Sequence, residues 1–245
     1  MKIKEKLQSK KVNISFEVFP PKTDAKYGDV LEAVDEIAKL APSFISVTYG
    51  AGGSNSKKTV EIASFIQNTL NIPALAHMTC VGNKKEEILK VCEELKEANV
   101  KKVLALRGDR PRNMTDEQFA SRDFAYASDM IGFLKEHTKL EIAAACYPEK
   151  HYEAASLDAD LEALKIKQDM GAEFFISQLF FDNEIFYRFR EGCARHRIKI
   201  PIVCGIMPFT SVRQIQRMDR ITLICYRGNG LQIGNGIEAQ KDLIQ

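Results

Sequence analysis

Tryptophan is absent from this chain, and only four histidines occur among its 245 residues. No two histidines stand at metal-ligand spacing, which argues against a zinc site or any other metal site. The six cysteines (Cys80, Cys92, Cys146, Cys193, Cys204 and Cys225) are scattered, and no CxxC pair occurs. That pattern reads as reduced thiols in a cytoplasmic protein, not as a disulfide framework. Net charge is only +2, so there is no general attraction to nucleic acid or to a membrane surface. No apolar run approaches the roughly 20 residues that span a bilayer. The segment Met1-Lys2-Ile3-Lys4-Glu5-Lys6 is charged and lacks the apolar region of a signal peptide. Missing too are a GxGxxG fingerprint, a Ser-His-Asp order and a Schiff-base lysine constellation.

What is present is a regular alternation. Strand-like segments fall at 12–19, 43–49, 73–79, 100–106, 140–147, 173–180 and 200–207. Helix-like segments fall near 28–40, 55–69, 84–98, 116–137, 156–171, 182–196 and 210–219. Repeated βα units imply a parallel sheet covered by helices. The fold class expected is α/β, a (β/α)8 TIM barrel, and its size matches a chain of this length. No linker interrupts the rhythm, so residues 1–245 are expected to form one domain. Residues 221–226 fill the place of an eighth strand only awkwardly, followed by three Gly-rich turns within 227–236. The barrel is therefore expected to be incomplete at its C-terminal eighth strand.

One carboxylate is placed uncomfortably. Glu17 lies within Asn13-Ile14-Ser15-Phe16-Glu17-Val18-Phe19, where Phe16 and Val18 take one face of a strand and Ser15 and Glu17 the other. A buried carboxylate either pairs or becomes neutral, and a neutral one near pH 7 can donate a proton. In barrel enzymes chemistry sits at the C-terminal ends of the strands. There the chain carries Thr48 and Tyr49, then His77, then Arg107-Gly108-Asp109, then Tyr147 with His151, then Gln178. Each has a plainer reading. Taken alone, His77 is a hydrogen-bonded core histidine, and Arg107 and Asp109 neutralise each other. The glycines at 50–53 form a tight turn. Gln178, between Ile176 and Phe180, would be a buried amide that needs partners. Together they make a mouth rich in hydrogen-bonding groups and poor in nucleophiles, where a cofactor does the hard chemistry.

Six segments occur in order: Ser15-Phe16-Glu17-Val18-Phe19-Pro20-Pro21-Lys22, Val47-Thr48-Tyr49-Gly50-Ala51-Gly52, Ala76-His77-Met78-Thr79-Cys80, Leu106-Arg107-Gly108-Asp109, Ala145-Cys146-Tyr147-Pro148-Glu149 and Ser177-Gln178-Leu179-Phe180-Phe181-Asp182. With these the chain resembles bacterial-type methylenetetrahydrofolate reductases from about Lys2 to about Arg217. The resemblance implies a (β/α)8 barrel that binds FAD. It also implies reduction of 5,10-methylenetetrahydrofolate to 5-methyltetrahydrofolate with electrons from NADH or NADPH, in a ping-pong cycle. Glu17 then matches the general acid that protonates folate N10. Asp109 matches a residue near the flavin's pyrimidine edge and the folate, and Gln178 one that meets folate and nicotinamide in turn. Thr48 matches a nicotinamide-side contact. Tyr49, Ala51, His77, Arg107, Gly108, Asp109, Ala127, Tyr147, His151, Ala154, Asp160 and Lys167 match FAD contacts.

The chain departs from the family at three places. Ala163 and Ile166 stand where the family often has Asn and Arg, and a lost Arg near the cofactor's diphosphate or adenosine weakens binding. Val212 stands where an aromatic is common. The family's last segment, which closes the barrel and supplies a folate contact, has no match in 221–245. These departures keep a second reading open: a truncated or partner-dependent FAD-binding subunit with little folate turnover, covered by another copy or by a redox partner protein. A flavin-free barrel enzyme, such as an aldolase or a pterin-binding methyltransferase, is the third.

Overall fold

In the computed structural model, residues 2–9, 11–21, 23–49, 56–111 and 113–208 are described. The tight turn expected at 50–53 with its Ala51, the helix expected at 210–219, Val212 and the eighth-strand candidate at 221–226 lie outside them. The seven strands are β1 (Ser15–Val18), β2 (Phe44–Val47), β3 (Ala74–Thr79), β4 (Lys102–Leu106), β5 (Glu141–Cys146), β6 (Phe174–Ser177) and β7 (Ile202–Val203). The helices are α1 (Ile3–Leu7), α2 (Tyr27–Ala38), α3 (Ser56–Ser64), α4 (Lys85–Glu97), α5 (Asp116–Ala120), α6 (Ala127–His137), α7 (Leu157–Met170) and α8 (Asn183–Arg195). Strand order follows the chain from β1 to β7, with parallel pairing. Consecutive parallel βα units in that order are the (β/α)8 barrel class, not a doubly wound sheet. Seven of the eight strands of such a barrel are present among the described residues.

Contacts divide the chain into two compact units. The first is residues 1–144 with 170–173, and the second is 145–169 with 174–245. In the first unit, β2 to β5 are nearly continuous buried runs, as strands covered on both faces must be. α4 and α6 each bury one stripe. In α4 that stripe is Ile88, Cys92 and Leu95, spaced four and three residues apart. In the second unit, Phe174 and Phe175 are buried on β6, while Phe186, Phe189 and Cys193 form the buried stripe of α8.

Three local expectations are corrected. The helix read over 116–137 is two helices. Thr115 caps α5 by accepting a hydrogen bond from Gln118 N at 3.2 Å, and the chain then breaks before Ala127. Arg122 holds the break open. Its guanidinium donates to the carbonyls of Phe119 and Ala125 and lies over the Phe119 ring. The helix read over 55–69 is α3 closed by a wide turn at Phe65–Thr69, where Leu70 N donates to Phe65 O. The charged start of the chain, to which the sequence pattern assigns no element, forms α1. The Glu141 carboxylate accepts from Ile3 N and Lys4 N at 3.2 and 2.9 Å, and Ile3 is fully buried. A five-residue helix has no pattern of its own, and its partner lies 138 residues away.

Candidate functional site

The strand register assembles the first unit's polar residues. Glu17 pairs with Ser46 on β2, Ser46 lies in register with Leu75 on β3, and His77 is two residues beyond Leu75. Since side chains alternate, Glu17, Ser46 and His77 share one face, near the C-terminal ends of parallel strands. Glu17 Oε2 stands 3.4 Å from His77 Nε2. Ser46, 3% exposed, lies in register beside Glu17.

The carboxylate is not buried as its strand position suggests. Its side chain keeps 44% of its exposure. Solvent reaches it from the open side, while the protein at its back strips away part of its hydration. That desolvation raises its pKa, and the polar Ser46 hydroxyl beside it opposes the rise only in part. His77 is the buried member of the pair, at 7% exposure. Burial pushes its pKa down to about 4, so the imidazole is neutral at pH 7. The expectation of a hydrogen-bonded core histidine holds only for its burial. Among the described residues Nε2 has no hydrogen-bond partner, and its approach to Glu17 lacks hydrogen-bond geometry.

The other residues expected in the first unit follow β2 and β4 or open α6. Thr48 N donates to Val18 O at 3.0 Å, and Thr48 O accepts from the buried Thr59 hydroxyl at 2.9 Å. Tyr49 follows, half-buried. Arg107 is half-buried beyond β4, and its carbonyl accepts from Val81 N at 2.8 Å. Gly108 has φ +83°, and a Cβ there would come within 2.9 Å of Val81 and 3.0 Å of Thr79. Only glycine fits that position. It delivers Asp109 to an exposed loop position. Ala127 opens α6 where the Asp129 carboxylate accepts from Ala125 N and Tyr126 N, both at 2.9 Å.

The second unit gathers its own set between β5 and α7. The Tyr147 ring meets His151 edge-on at 4.7 Å. Asp160 accepts from His151 N at 2.9 Å, and Ala154 N donates to His151 O at 3.0 Å. Lys167 reaches the Ala145 carbonyl at 2.9 Å, with its ammonium 6.0 Å from the Tyr147 ring centre. Asp160, Ala163 and Lys167 recur at helical spacing on α7, and Ile166 beside them is 49% exposed. Gln178 is half-buried, not buried. Its N donates to Cys146 O at 2.8 Å, and its Oε1 accepts from Leu179 N at 3.0 Å.

The structure brings Glu17 and His77 together in the first unit, with Ser46 in register beside Glu17, and Tyr147, His151, Asp160 and Lys167 together in the second. Sequence reasoning passed over Ser46. The signal available was its alternation with Thr48, but only the register shows that it faces Glu17. The orphaned, buried Nε2 of His77 is the feature that best fits a bound group, since buried polar atoms ordinarily have partners. Taken separately, the first unit presents His77 and Arg107, and the second Tyr147, His151, Asp160 and Lys167, as aromatic and hydrogen-bonding groups of kinds that bind flavin cofactors. Among the described residues no cluster of three metal-binding side chains occurs, and no helix is long and apolar enough to cross a membrane.

Comparison with known proteins gives a consistent answer. The family model for methylenetetrahydrofolate reductase matches residues 2–225. The 5,10-methylenetetrahydrofolate reductase of Pectobacterium carotovorum subsp. carotovorum is 36% identical over 212 residues, which is 86% of this chain and 69% of that protein. The methylenetetrahydrofolate reductase (NADH) 1 of Arabidopsis thaliana is 35% identical over 228 residues, 89% of this chain but 38% of the plant protein. Among solved structures, an uncharacterized protein from Clostridium thermocellum, which binds two copies of 5-methyl-5,6,7,8-tetrahydrofolic acid, superposes with a TM-score of 0.65 at 15% identity. That match covers 98% of this chain and 84% of the other, and it carries the fold.

Proposed function

The chain belongs to the methylenetetrahydrofolate reductase family, and from that premise we propose that it reduces 5,10-methylenetetrahydrofolate to 5-methyltetrahydrofolate, with residues 1–245 acting as one FAD-binding domain. The electrons come from NADH or NADPH, and the name of the Arabidopsis relative favours NADH. Bound FAD supplies the hydride chemistry that no side chain can perform.

The observation that carries the proposal is the state of Glu17. Its pKa is raised by desolvation, and no charged group among the described residues offsets that rise. A carboxyl whose acid form is favoured by its surroundings is suited to donate to folate N10. The N10–methylene bond then breaks, leaving an N5 iminium carbon as the electrophile to be reduced. Neutral His77 beside Glu17 adds no positive charge that would force the acid to ionise. Asp109 contacts the folate and the flavin's pyrimidine edge. Its negative charge disfavours added electron density there and so tunes the potential. Thr48 contacts the nicotinamide. Gln178 serves nicotinamide and folate in turn, which makes the cycle ping-pong. Tyr49, Ala51, His77, Arg107, Gly108, Asp109, Ala127, Tyr147, His151, Ala154, Asp160 and Lys167 hold the cofactor.

The test is a visible spectrum of the purified protein, before and after anaerobic NADH, followed by addition of methylenetetrahydrofolate. A flavin spectrum that bleaches with NADH and returns with folate supports the proposal. The exposed Ala163 and Ile166 on α7 favour a second reading, a partner-dependent flavin-binding subunit. A spectrum that bleaches but does not return with folate supports that reading. A protein that takes up no flavin overturns both.

A further inference from the structure

We infer that Arg122 is the positioning residue for the start of α6, and so for Ala127 where it meets the cofactor: its guanidinium braces the turn that joins α5 to α6. The inference rests on the reading of the chain as a flavin-binding protein. Residues 107–126 connect β4 to α6 at the strand ends where barrel enzymes place their chemistry. A connection of that length needs something to hold its shape. Arg122 Nη2 donates to Ala125 O at 3.1 Å, and Nη1 donates to Phe119 O. The guanidinium carbon also stands 3.8 Å from the centre of the Phe119 ring. One half-buried side chain thereby ties α5 to the residue two before the first residue of α6.

The segment it braces is seated against the site. The buried Cys80 thiol, at the end of β3 and three residues on from His77, lies 3.8 Å from Tyr126 O and 3.7 Å from Arg107 O. The Asp129 carboxylate accepts from Ala125 N and Tyr126 N. Cys80 and Asp129 thus hold this segment from the strand end and from α6, and Arg122 holds it from the loop. Asp123 anchors the turn to α4 through Lys85 N at 2.9 Å, but Arg122 is the side chain that bonds both ends of the turn. Arg110 also faces the Phe119 ring, at 5.0 Å, yet it bonds Met114 O and Asp116, at the start of α5. The two arginines therefore share a ring and differ in what they hold.

The test pairs hydrogen–deuterium exchange, read by mass spectrometry, with a flavin fluorescence titration of FAD affinity. The proteins are the parent, Arg122→Ala, Arg122→Lys and Arg110→Ala. In Arg122→Ala the peptide covering 121–128 should exchange about tenfold faster and FAD affinity should fall about tenfold, the scale of a lost hydrogen bond from a charged donor. Peptides covering β3 and β4 should exchange as in the parent. Arg122→Lys, whose ammonium lacks the fork that reaches two carbonyls, should lie between, and it serves if the alanine variant folds poorly. Arg110→Ala should stay within about twofold of the parent in both readouts. Unchanged exchange at 121–128 in both Arg122 variants, or exchange that rises equally in the strands, would overturn the inference. So would an FAD affinity that holds while 121–128 loosens, or the same losses in Arg110→Ala. The exchange readout needs no flavin. A parent that takes up no FAD fails the proposed function and removes the cofactor role of Arg122 with it, whereas failure in a parent that binds FAD counts against Arg122 alone.

Discussion

Replacing His77 by Gln should make the protein less sensitive to acid, although the substitution removes a buried ring. In the unfolded chain His77 takes up a proton near pH 6.5, whereas the folded chain delays that uptake to about pH 4. Between those values the unfolded state binds more protons, so stability falls as pH falls. With this shift, the loss integrates to about 2.5 kcal/mol by pH 4.5 and approaches roughly 3 kcal/mol below the folded value. The amide of the His77→Gln variant cannot titrate. Glu17, with its pKa raised on folding, contributes the opposite slope: its protonated form is favoured by folding, so its share of stability falls as pH rises. That contribution is common to parent and variant and drops out of the difference between them. The assay is urea unfolding from pH 7.5 to 4.5 on both proteins under identical cofactor conditions. The gap between the two stability curves should change by about 2.5 kcal/mol across that range, in the variant's favour at low pH. Parallel curves would mean that His77 is already charged in the folded protein, or is solvated, and the neutral imidazole beside Glu17 would have to be given up.

Three further outcomes follow from the same structure. Gly205→Ala should destabilise by about 3 kcal/mol in urea melts, because a Cβ there would run into the Ser177 carbonyl and break the Gly205 N to Ser177 Oγ bond; a loss below about 1 kcal/mol would contradict that packing. Ile166→Arg should raise FAD affinity about tenfold in a flavin fluorescence titration, since Ile166 is exposed on α7 three residues on from Ala163, which shares a helical row with Asp160 and Lys167. Thiol reagents at pH 7.5 should not label Cys80, Cys92, Cys146 or Cys193 in the native protein, since burial raises all four, Cys80, Cys92 and Cys193 to about 12. Rapid labelling before unfolding, read by mass spectrometry, would show that those segments open.

The strands were the most legible part of the chain. Runs such as Ala74–Thr79 and Glu141–Cys146 are long, apolar and bounded by turn signals, and each forms the strand expected, to within one residue at each end. The helix over 116–137 misled because its apolar spacing continues through 121–126. What breaks it is Arg122 bonding two carbonyls, and a charged side chain's partners do not show in a hydrophobic pattern. α1 was invisible because its stability comes from a distant carboxylate. In the candidate site, chemistry at strand ends was readable from residue type and position. The environment of Glu17 was not. Alternation put it on the correct face, but its exposure, the neighbouring Ser46 and the orphaned nitrogen of His77 depend on register between strands, which one segment's sequence does not contain.

The central claim is that Glu17 donates the proton that opens the folate ring. The most direct test is Glu17→Gln, with the two half-reactions followed separately by stopped-flow absorbance. The account predicts flavin reduction by NADH at a rate within about threefold of the parent, and loss of folate reduction by at least about a hundredfold, the scale of a missing general acid. Equal loss of both half-reactions, or folate reduction at the parent rate, would contradict it.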